Sequence, residues 1–250
     1  MFIDTHCHLS LEDYKDIEKI LEENRKENVN SIIISGCTKE SIIESLKYSS
    51  LYPDVFATIG YHPSEADITT DEDLILLEEQ LRLTKVVGVG EIGLDYYYGK
   101  ENKEKQIELF EKQLVIAEKY NLPVVIHSRD ATRDTMDILK KYLVTGVIHC
   151  FNGSVETAKE YIKMGFVLGI GGVVTFKNSN LSSIVTQIPL ESIVLETDSP
   201  YLTPVPHRGE QNSSKYIPII AEKVSLCKNV SVSEIAYITT ATAKRVFHLD

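Results

Sequence analysis

Residues 86–95 read Val86-Val-Gly-Val-Gly-Glu-Ile-Gly-Leu-Asp95, an apolar run that leads into two acids. The apolar residues are continuous rather than alternating, which is typical of a parallel strand buried on both faces. An acid that follows such a run needs a cation or a hydrogen-bond network, because a buried unpaired carboxylate is costly. The stretch therefore predicts a parallel β-sheet with polar chemistry at the ends of its strands.

Runs of the same kind occur along the whole chain, separated by longer amphipathic segments. The eight predicted strands are Met1–His6, Ser31–Gly36, Val55–Gly60, Val86–Gly90, Pro123–His127, Gly146–His149, Phe166–Gly171 and Ser192–Glu196. The predicted helices are Leu11–Asn28, Lys39–Ser50, Asp71–Leu83, Asn102–Tyr120, Ala131–Tyr142, Ser154–Met164, Leu181–Gln187, Ser213–Cys227 and Ser231–Leu249, one more than eight strands require.

The alternation of strand and helix over the full length predicts an α/β fold with a parallel sheet. Eight units in 250 residues favour a (β/α)₈ TIM barrel, and we expect a single domain over residues 1–250. A doubly wound sheet is the alternative that the pattern leaves open.

The histidines follow the predicted strand ends, which is where a (β/α)₈ barrel places its active site. Of the seven histidines, only His248 lies elsewhere, in the last helix, where a surface or capping role is expected. The other six are His6 and His8 at strand one, His62 after strand three, His127 at strand five, His149 at strand six and His207 after strand eight. Packing alone does not explain this distribution.

Carboxylates occupy the same predicted rim as the histidines. Glu91 and Asp95 lie at strand four, and Asp198 follows strand eight. His6 and His8 are two residues apart, so the alternation of a strand turns both imidazoles the same way. Clusters of such residues from different strands mark metal or catalytic sites. The predicted metal ligands are His6, His8, Glu91, His127, His149 and Asp198.

Seven blocks of the sequence, in the same order, resemble the TatD family of metal-dependent deoxyribonucleases. The blocks are Phe2–His8, Thr58–Pro63, Gly88–Tyr96, Pro123–Arg129, His149–Gly153, Leu195–Tyr201 and Pro206–Gly209. The resemblance implies two divalent ions, with His6, His8 and Asp198 on the first, His127 and His149 on the second, and Glu91 between them. One departure is visible: Asn212-Ser-Ser214 lacks the proline that usually opens the next helix in the family.

The resemblance also implies hydrolysis of DNA phosphodiester bonds, from the 3′ end of single strands. Imidazole and carboxylate ligands suit Zn²⁺, Mn²⁺, Fe²⁺ or Co²⁺ better than Ca²⁺. Family members are similar in needing a divalent metal, often tested with Mg²⁺. Asp198 and Glu91 are the candidate catalytic residues, with Asp198 as general base. The candidate substrate-binding residues are His62, Arg208 and Asp95. Asp95 and Glu196 are also candidates to orient ligand imidazoles.

Three further side-chain groups have two interpretations each. The tyrosines of Tyr96–Tyr98 and Tyr201 either stack on unpaired bases or pack the loops. Arg129 is expected to be structural, paired with an acid at the rim. Arg208 either contacts phosphate through its planar fork or is an exposed loop residue.

Composition limits the possible partners. The net charge of −11, from 26 basic and 37 acidic residues, argues against tight wrapping of duplex DNA. It is compatible with a nuclease in which bound cations neutralise an acidic site. No apolar run approaches the roughly 18 residues that span a bilayer, and the N-terminus shows no secretory signal. The four cysteines form no C-x-x-C pair. We expect a cytoplasmic protein with DNA as substrate, no membrane contact and no obligate protein partner.

Two other functions stay open. Amidohydrolases and phosphotriesterases place similar ligands on the same strands, but they usually bridge their metals with a modified lysine on strand four. This chain has Glu91 there, and its nearest lysine, Lys85, precedes the strand. An amide or ester substrate, including an aminoacyl-tRNA ester, is still possible because the same hydroxide attacks a carbonyl carbon. A metal-binding scaffold without turnover is the second alternative, since a fold does not establish activity.

Overall fold

Eight parallel strands form one sheet, in sequence order from β1 to β8, in the computed structural model, which describes residues 1–97 and 101–249. The strands are β1 Phe2–Cys7, β2 Val29–Gly36, β3 Val55–Ile59, β4 Val86–Asp95, β5 Val124–Arg129, β6 Gly146–Ile148, β7 Val167–Ile170 and β8 Ile193–Leu195. The helices are α1 Ile17–Lys26, α2 Lys39–Leu51, α3 Asp71–Gln80, α4 Lys103–Tyr120, α5 Thr132–Leu139, α6 Val155–Lys163, α7 Leu181–Gln187, α8 Ile217–Lys228 and α9 Val232–Phe247. A helix follows every strand, so the predicted (β/α)₈ barrel is confirmed.

The barrel closes between β8 and β1 through hydrogen bonds outside the regular ladder. The backbone N–H of Asp198 donates to the carbonyl oxygen of His6 at 3.0 Å. The buried carboxylate of Asp4 spans the seam, accepting from the N–H of Thr197 at 3.0 Å and from its hydroxyl at 2.5 Å. These bonds fix the chain after β8 to the end of β1 and bring Asp198 beside His6.

The ninth helix closes the N-terminal end of the barrel, opposite the predicted site. An inner layer of apolar residues, one from each of seven strands, consists of Ile3, Ile33, Val87, Val125, Val147, Val167 and Val194. Ala243 and Phe247 of α9 pack against this layer. The hydroxyl of Thr240 donates to the carbonyl oxygen of Met1 at 3.2 Å, which holds α9 across the start of β1. His248 is the C-cap of α9, which confirms the capping role.

Two helices begin several residues later than the sequence pattern predicts. α1 begins at Ile17 rather than at Leu11, because the side chain of Asp16 accepts from the N–H of Lys19 and caps the helix there. The predicted helix from Ser213 is divided into a 3₁₀ turn at residues 214–216 and then α8. The α-helix thus begins at Ile217, after the segment that lacks the usual proline.

The described residues contain neither a disulfide nor a helix suited to a bilayer. Crossing a bilayer takes about 20 largely apolar residues in one helix. Within 1–97 and 101–249 no helix meets that requirement. The cysteines at positions 7, 37, 150 and 227 are all unpaired.

Candidate active site

An open cavity of about 1570 Å³ lies at the C-terminal ends of the strands. The predicted site residues in its wall are His8, His62, Glu91, Asp95, His127, His149 and Asp198. His6 lies just beneath the wall, with its ring stacked on His149 at 3.8 Å between centroids. A smaller cavity of about 520 Å³, between Met1 and α9, includes none of the predicted site residues among those described. The larger cavity is therefore the candidate active site.

A break in the regularity of β1 turns its two histidines toward this cavity. Ile3 belongs to the inner layer of the barrel, so strict alternation would turn His6 outward. The register with β2 shifts between Asp4 and Cys7, and Cys7 packs into the outer core between strands and helices. His6 and His8 consequently both face the barrel mouth, as the H-x-H spacing predicts, although the irregular register is not visible in the sequence.

Glu91 lies at the centre of the cluster, with its two carboxylate oxygens toward different histidines. Oε2 lies 3.4 Å from Nε2 of His6 and 3.9 Å from Nε2 of His8. Oε1 lies 2.6 Å from Nδ1 of His127 and 3.3 Å from Nε2 of His149. One carboxylate thus separates two groups of imidazoles and contacts both.

Asp198 lies on the His6 and His8 side of the cluster. Its Oδ1 is 3.7 Å from Nε2 of His6 and 3.5 Å from Nε2 of His8. The potential ligand atoms of His6, His8 and Glu91 all lie within 4.8 Å of one another, and so do those of Glu91, His127 and His149. The ligand atoms of His6, His149 and Asp198 also lie within that distance of one another, so the structure brings all six predicted ligands together in overlapping groups around Glu91.

The arrangement of these atoms fits a divalent cation. Neither ring nitrogen of His6 makes a hydrogen bond, although the ring is buried, and such an unsatisfied group is costly. Donor atoms about 2.1 Å from a tetrahedral ion lie roughly 3.4 Å apart. Three of the four imidazole contacts of Glu91, with His6, His8 and His149, measure 3.3–3.9 Å and are close to that spacing. The fourth, with His127 at 2.6 Å, has the length of a hydrogen bond.

The electrostatics of the cluster also favour a cation. Burial acts to raise the pKa of Glu91, but His149, His127 and His6 outweigh it and hold that pKa well below its usual range. Burial acts to lower the pKa of His149, yet Glu91 and Glu196 raise it to about 10. The buried carboxylates thus attract positive charge to this point, whether a proton or a metal ion supplies it.

Two more carboxylates lie behind the imidazoles of the second group. Oδ2 of Asp95 is 3.2 Å from Nε2 of His127, and Oε1 of Glu196 is 3.4 Å from Nδ1 of His149. Oε1 of Glu196 also accepts from the N–H of Cys150 at 2.5 Å. Carboxylates in such positions orient ligand imidazoles and raise their basicity. This placement fits the orienting role for both acids, while a substrate contact by Asp95 stays a prediction.

A glycine makes room for the deeper of these acids. Glu196 is fully buried, and a Cβ at Gly169 would lie only 2.1 Å from its Oε2. Any larger residue at position 169 would therefore displace the carboxylate from His149.

The other predicted substrate-binding residues differ in their placement. His62 lines the cavity, and its ring lies 4.5 Å from that of His127. Arg208 does not line the cavity in the described part of the chain. Its guanidinium lies 4.2 Å from the ring centre of Phe176 and donates to the carbonyl oxygen of Thr203 at 3.1 Å. These contacts give Arg208 a packing role between loops, and phosphate contact by its guanidinium stays a prediction.

The tyrosines near the mouth also separate into two kinds. Tyr97 and Tyr201 line the cavity and are 58% and 61% exposed. Arg129 lines it too, with its guanidinium 4.0 Å from the ring centre of Tyr97. Tyr96 is buried and donates its hydroxyl to an acid of α5, so it packs the loop. Tyr98 lies outside the described residues.

Two buried glutamines of α4 hold the backbone around the site, a role that their sequence positions do not predict. Gln106 accepts from the N–H of Asp95 at 2.9 Å and donates to its carbonyl oxygen at 3.0 Å. Gln113 makes the same pair of bonds with Tyr61, at 2.7 and 3.0 Å. The first pair explains why β4 continues past the predicted end at Gly90.

The loop after β8 is fixed by Asn212. Its side-chain amide donates to the carbonyl oxygen of Thr197 at 2.8 Å, and its backbone oxygen accepts from the hydroxyl of Tyr14 at 2.8 Å. His207, which sequence position places on the rim, stacks instead on Tyr216 at 4.6 Å between centroids. It is not part of the cavity wall formed by the described residues.

Comparison with known proteins identifies the family. The family model described as TatD related DNase matches residues 3–248. The chain belongs to the TatD family. The metal-dependent hydrolase YabD of Bacillus subtilis (strain 168) is 42% identical over 255 residues, covering 100% of both chains. The metal-dependent hydrolase YcfH of Escherichia coli (strain K12) is 37% identical, covering 99% of this chain and 96% of its own.

Solved structures of the TatD family have the same architecture. The crystal structure of YjjV, a TatD homologue from Escherichia coli K12, has a TM-score of 0.93 and 30% sequence identity, and the match covers 100% of this chain and 98% of that one. Together these comparisons make the chain a TatD-family metal-dependent hydrolase on a (β/α)₈ barrel, which confirms the resemblance seen in the sequence.

Proposed function

We propose that this TatD-family hydrolase cleaves phosphodiester bonds of DNA and removes nucleotides from the 3′ end of single strands. The position of Glu91, whose two oxygens contact two groups of imidazoles, carries the proposal. The family description, TatD related DNase, supports DNA as the substrate. The cavity, at about 1570 Å³ and open to solvent, offers room for the end of a strand.

The residues of the cluster would hold two divalent ions, with Glu91 available to both. His6, His8 and Asp198 would bind the first, and His127 and His149 the second. Zn²⁺, Mn²⁺, Mg²⁺, Fe²⁺ and Co²⁺ are the candidate ions. When bound, such a pair supplies hydroxide near neutral pH and neutralises charge on the phosphate oxygens.

Asp198 would act as the general base. Its Oδ1 faces His6 and His8, and its other carboxylate oxygen would accept the proton of the attacking water. The backbone bond from Asp198 to His6 across the barrel seam keeps this carboxylate at the cluster.

His62 is the proposed phosphate contact. Burial lowers its pKa to about 4, so the ring is neutral near pH 7. Nδ1 accepts from the N–H of Ser64 at 3.1 Å, which leaves the ring proton on Nε2. Nε2 then donates one hydrogen bond to a phosphate oxygen.

Digestion of end-labelled oligonucleotides tests the proposal. The protein is stripped with a chelator, reloaded with a single divalent metal and given 5′-labelled single-stranded DNA. We expect a ladder of products shortened from the 3′ end, and none after renewed chelation. The same preparation is assayed in parallel on an aminoacyl ester and an amide. Hydrolysis of the ester or amide with intact DNA would overturn the assignment, and metal binding without any turnover would support the scaffold alternative.

A further inference from the structure

The two sides of the active-site cavity differ in charge: Arg129 and Asp130 line one side together, whereas the other side carries carboxylates alone. Among the described residues that line it, Arg129 alone is a lysine or arginine. Arg129 ends β5, two residues after His127, so strand alternation turns both side chains to the barrel mouth. The guanidinium is therefore placed beside the second group of imidazoles, at the side of the mouth where its contact with Tyr97 also lies.

Arg129 and Tyr97 form a rim suited to a nucleotide. A guanidinium is a planar fork that matches the oxygens of a phosphate. Its contact with the Tyr97 ring, at 4.0 Å, restricts its orientation before any ligand binds. The ring itself is more than half exposed, and an exposed tyrosine offers an unpaired base a stacking surface.

The opposite side of the mouth carries carboxylates. Glu12 and Asp13 follow β1, while Glu40 and Glu44 lie in the first two turns of α2, and all four line the cavity. Within the described chain none of the four takes part in an ion pair. Eight strands in sequential order place β1 and β2 across the barrel from β5 and β6. A negative rim therefore faces Arg129 across the cluster around Glu91.

We propose that this charge asymmetry fixes the direction in which a DNA strand lies in the site. The phosphates of the part of the strand that remains after cleavage lie against Arg129. The 3′-terminal nucleotide that is released lies against the carboxylates of Glu12, Asp13, Glu40 and Glu44. The inference rests on the proposed nuclease function and adds a requirement to it. The leaving end must carry an uncharged hydroxyl, because a further phosphate there would meet the carboxylates.

Oligonucleotides that differ only in their 3′ end test the acidic rim. The metal-loaded protein receives a 5′-labelled single strand that ends in either a 3′-hydroxyl or a 3′-phosphate. Like charges brought into contact repel one another, so we expect kcat/KM to be about tenfold or more lower for the 3′-phosphate. In the double variant Glu40→Gln/Glu44→Gln, the ratio of kcat/KM for the 3′-hydroxyl strand to kcat/KM for the 3′-phosphate strand should be closer to one. The matched control Glu79→Gln/Glu222→Gln makes the same change in net charge at exposed positions of α3 and α8 and leaves the ratio unchanged.

The possible outcomes separate this inference from the function on which it rests. Equal cleavage of both ends by the wild type overturns the charge asymmetry and leaves the nuclease function standing. A ratio that changes equally in the two double variants also overturns it, because net charge then explains the effect. Cleavage of neither end overturns the proposed function and the inference with it.

Variants of Arg129 test the other rim. A dinucleoside monophosphate has only the scissile phosphate, whereas a longer strand also has retained phosphates. Arg129→Gln should raise KM for the longer strand about tenfold with kcat little changed. It should also reduce the slope of the logarithm of DNA affinity against the logarithm of salt concentration by about 1. It should leave the dinucleotide unaffected, and Arg129→Lys should restore part of the loss. An equal loss on both substrates would mean that Arg129 maintains the site rather than binding a retained phosphate.

Discussion

Asp198 combines an uncommon backbone conformation with the proposed role of general base. Its φ of 54° lies in the left-handed region, which Asp and Asn adopt more readily than most residues. Asp198→Asn therefore keeps the backbone and removes the carboxylate. We predict a loss of about 10²–10⁴-fold in kcat on single-stranded DNA. Steady-state kinetics measure the loss, and an unchanged melting curve shows that the fold is intact. Full activity in this variant would exclude Asp198 from the chemistry.

Glu196 acts on the site through His149, so its substitution should change metal affinity rather than the fold. Glu196→Gln keeps an oxygen that accepts from the N–H of Cys150 but removes the charge behind the imidazole. We predict about 10–100-fold weaker Zn²⁺ binding, measured by competition with a chromophoric chelator. Glu222→Gln, at an exposed position of α8, is the control. Equal affinities in the two variants would show that Glu196 does not orient His149.

Single residues differ in how far sequence predicts their position. The six proposed ligands were predictable because residue type and strand ends are local properties, and parallel strands end at the same edge. The position of an arginine guanidinium depends on which distant residues it packs against, which the local sequence does not show. Arg208 lies over Phe176, from a different loop, whereas Arg129 lies over Tyr97 at the cavity. The sequence therefore did not show which of the two arginines lies at the cavity.

The strands were predictable as elements, while their ends were not. Burial on both faces leaves a continuous apolar run, which marks each strand in the sequence. The ends depend on contacts with distant residues: β4 continues to Asp95 where Gln106 pairs with its backbone. After β8 the chain leaves the ladder because Thr197 bonds to Asp4, 193 residues away. Such contacts follow from the closed barrel and leave no local pattern.

The contribution of α9 to stability can be tested at its buried face. Phe247 is 2% exposed and packs against the inner layer of the barrel. Phe247→Ala should lower the free energy of unfolding by about 3–5 kcal/mol, through lost burial and the cavity that remains. Tyr237→Ala, on the same helix but 77% exposed, should change it by about 0.5 kcal/mol or less. Urea denaturation measures both, and similar values would contradict the role of α9 as the closure of the barrel.

At the scale of the whole molecule, metal binding should stabilise the fold, because the cluster is assembled in the folded chain and not in the unfolded chain. Zn²⁺ at about 100 times its Kd adds about 2.7 kcal/mol per site, which corresponds to a rise in Tm of roughly 5–10 °C for a chain of this size. His6→Asn should lose most of this rise. His248→Asn, at the left-handed C-cap of α9, should keep it. Thermal melts with and without Zn²⁺ measure the rise in Tm. The same rise in Tm for both variants would mean that Zn²⁺ binds outside the cluster.

The account depends most on the claim that Glu91 joins two cation sites. The direct measurement is elemental analysis of the protein after chelation, reloading with one metal and removal of the excess. We predict two equivalents per chain for the wild type and one or fewer for Glu91→Gln. One equivalent or none in the wild type, or two in both proteins, would contradict the shared site.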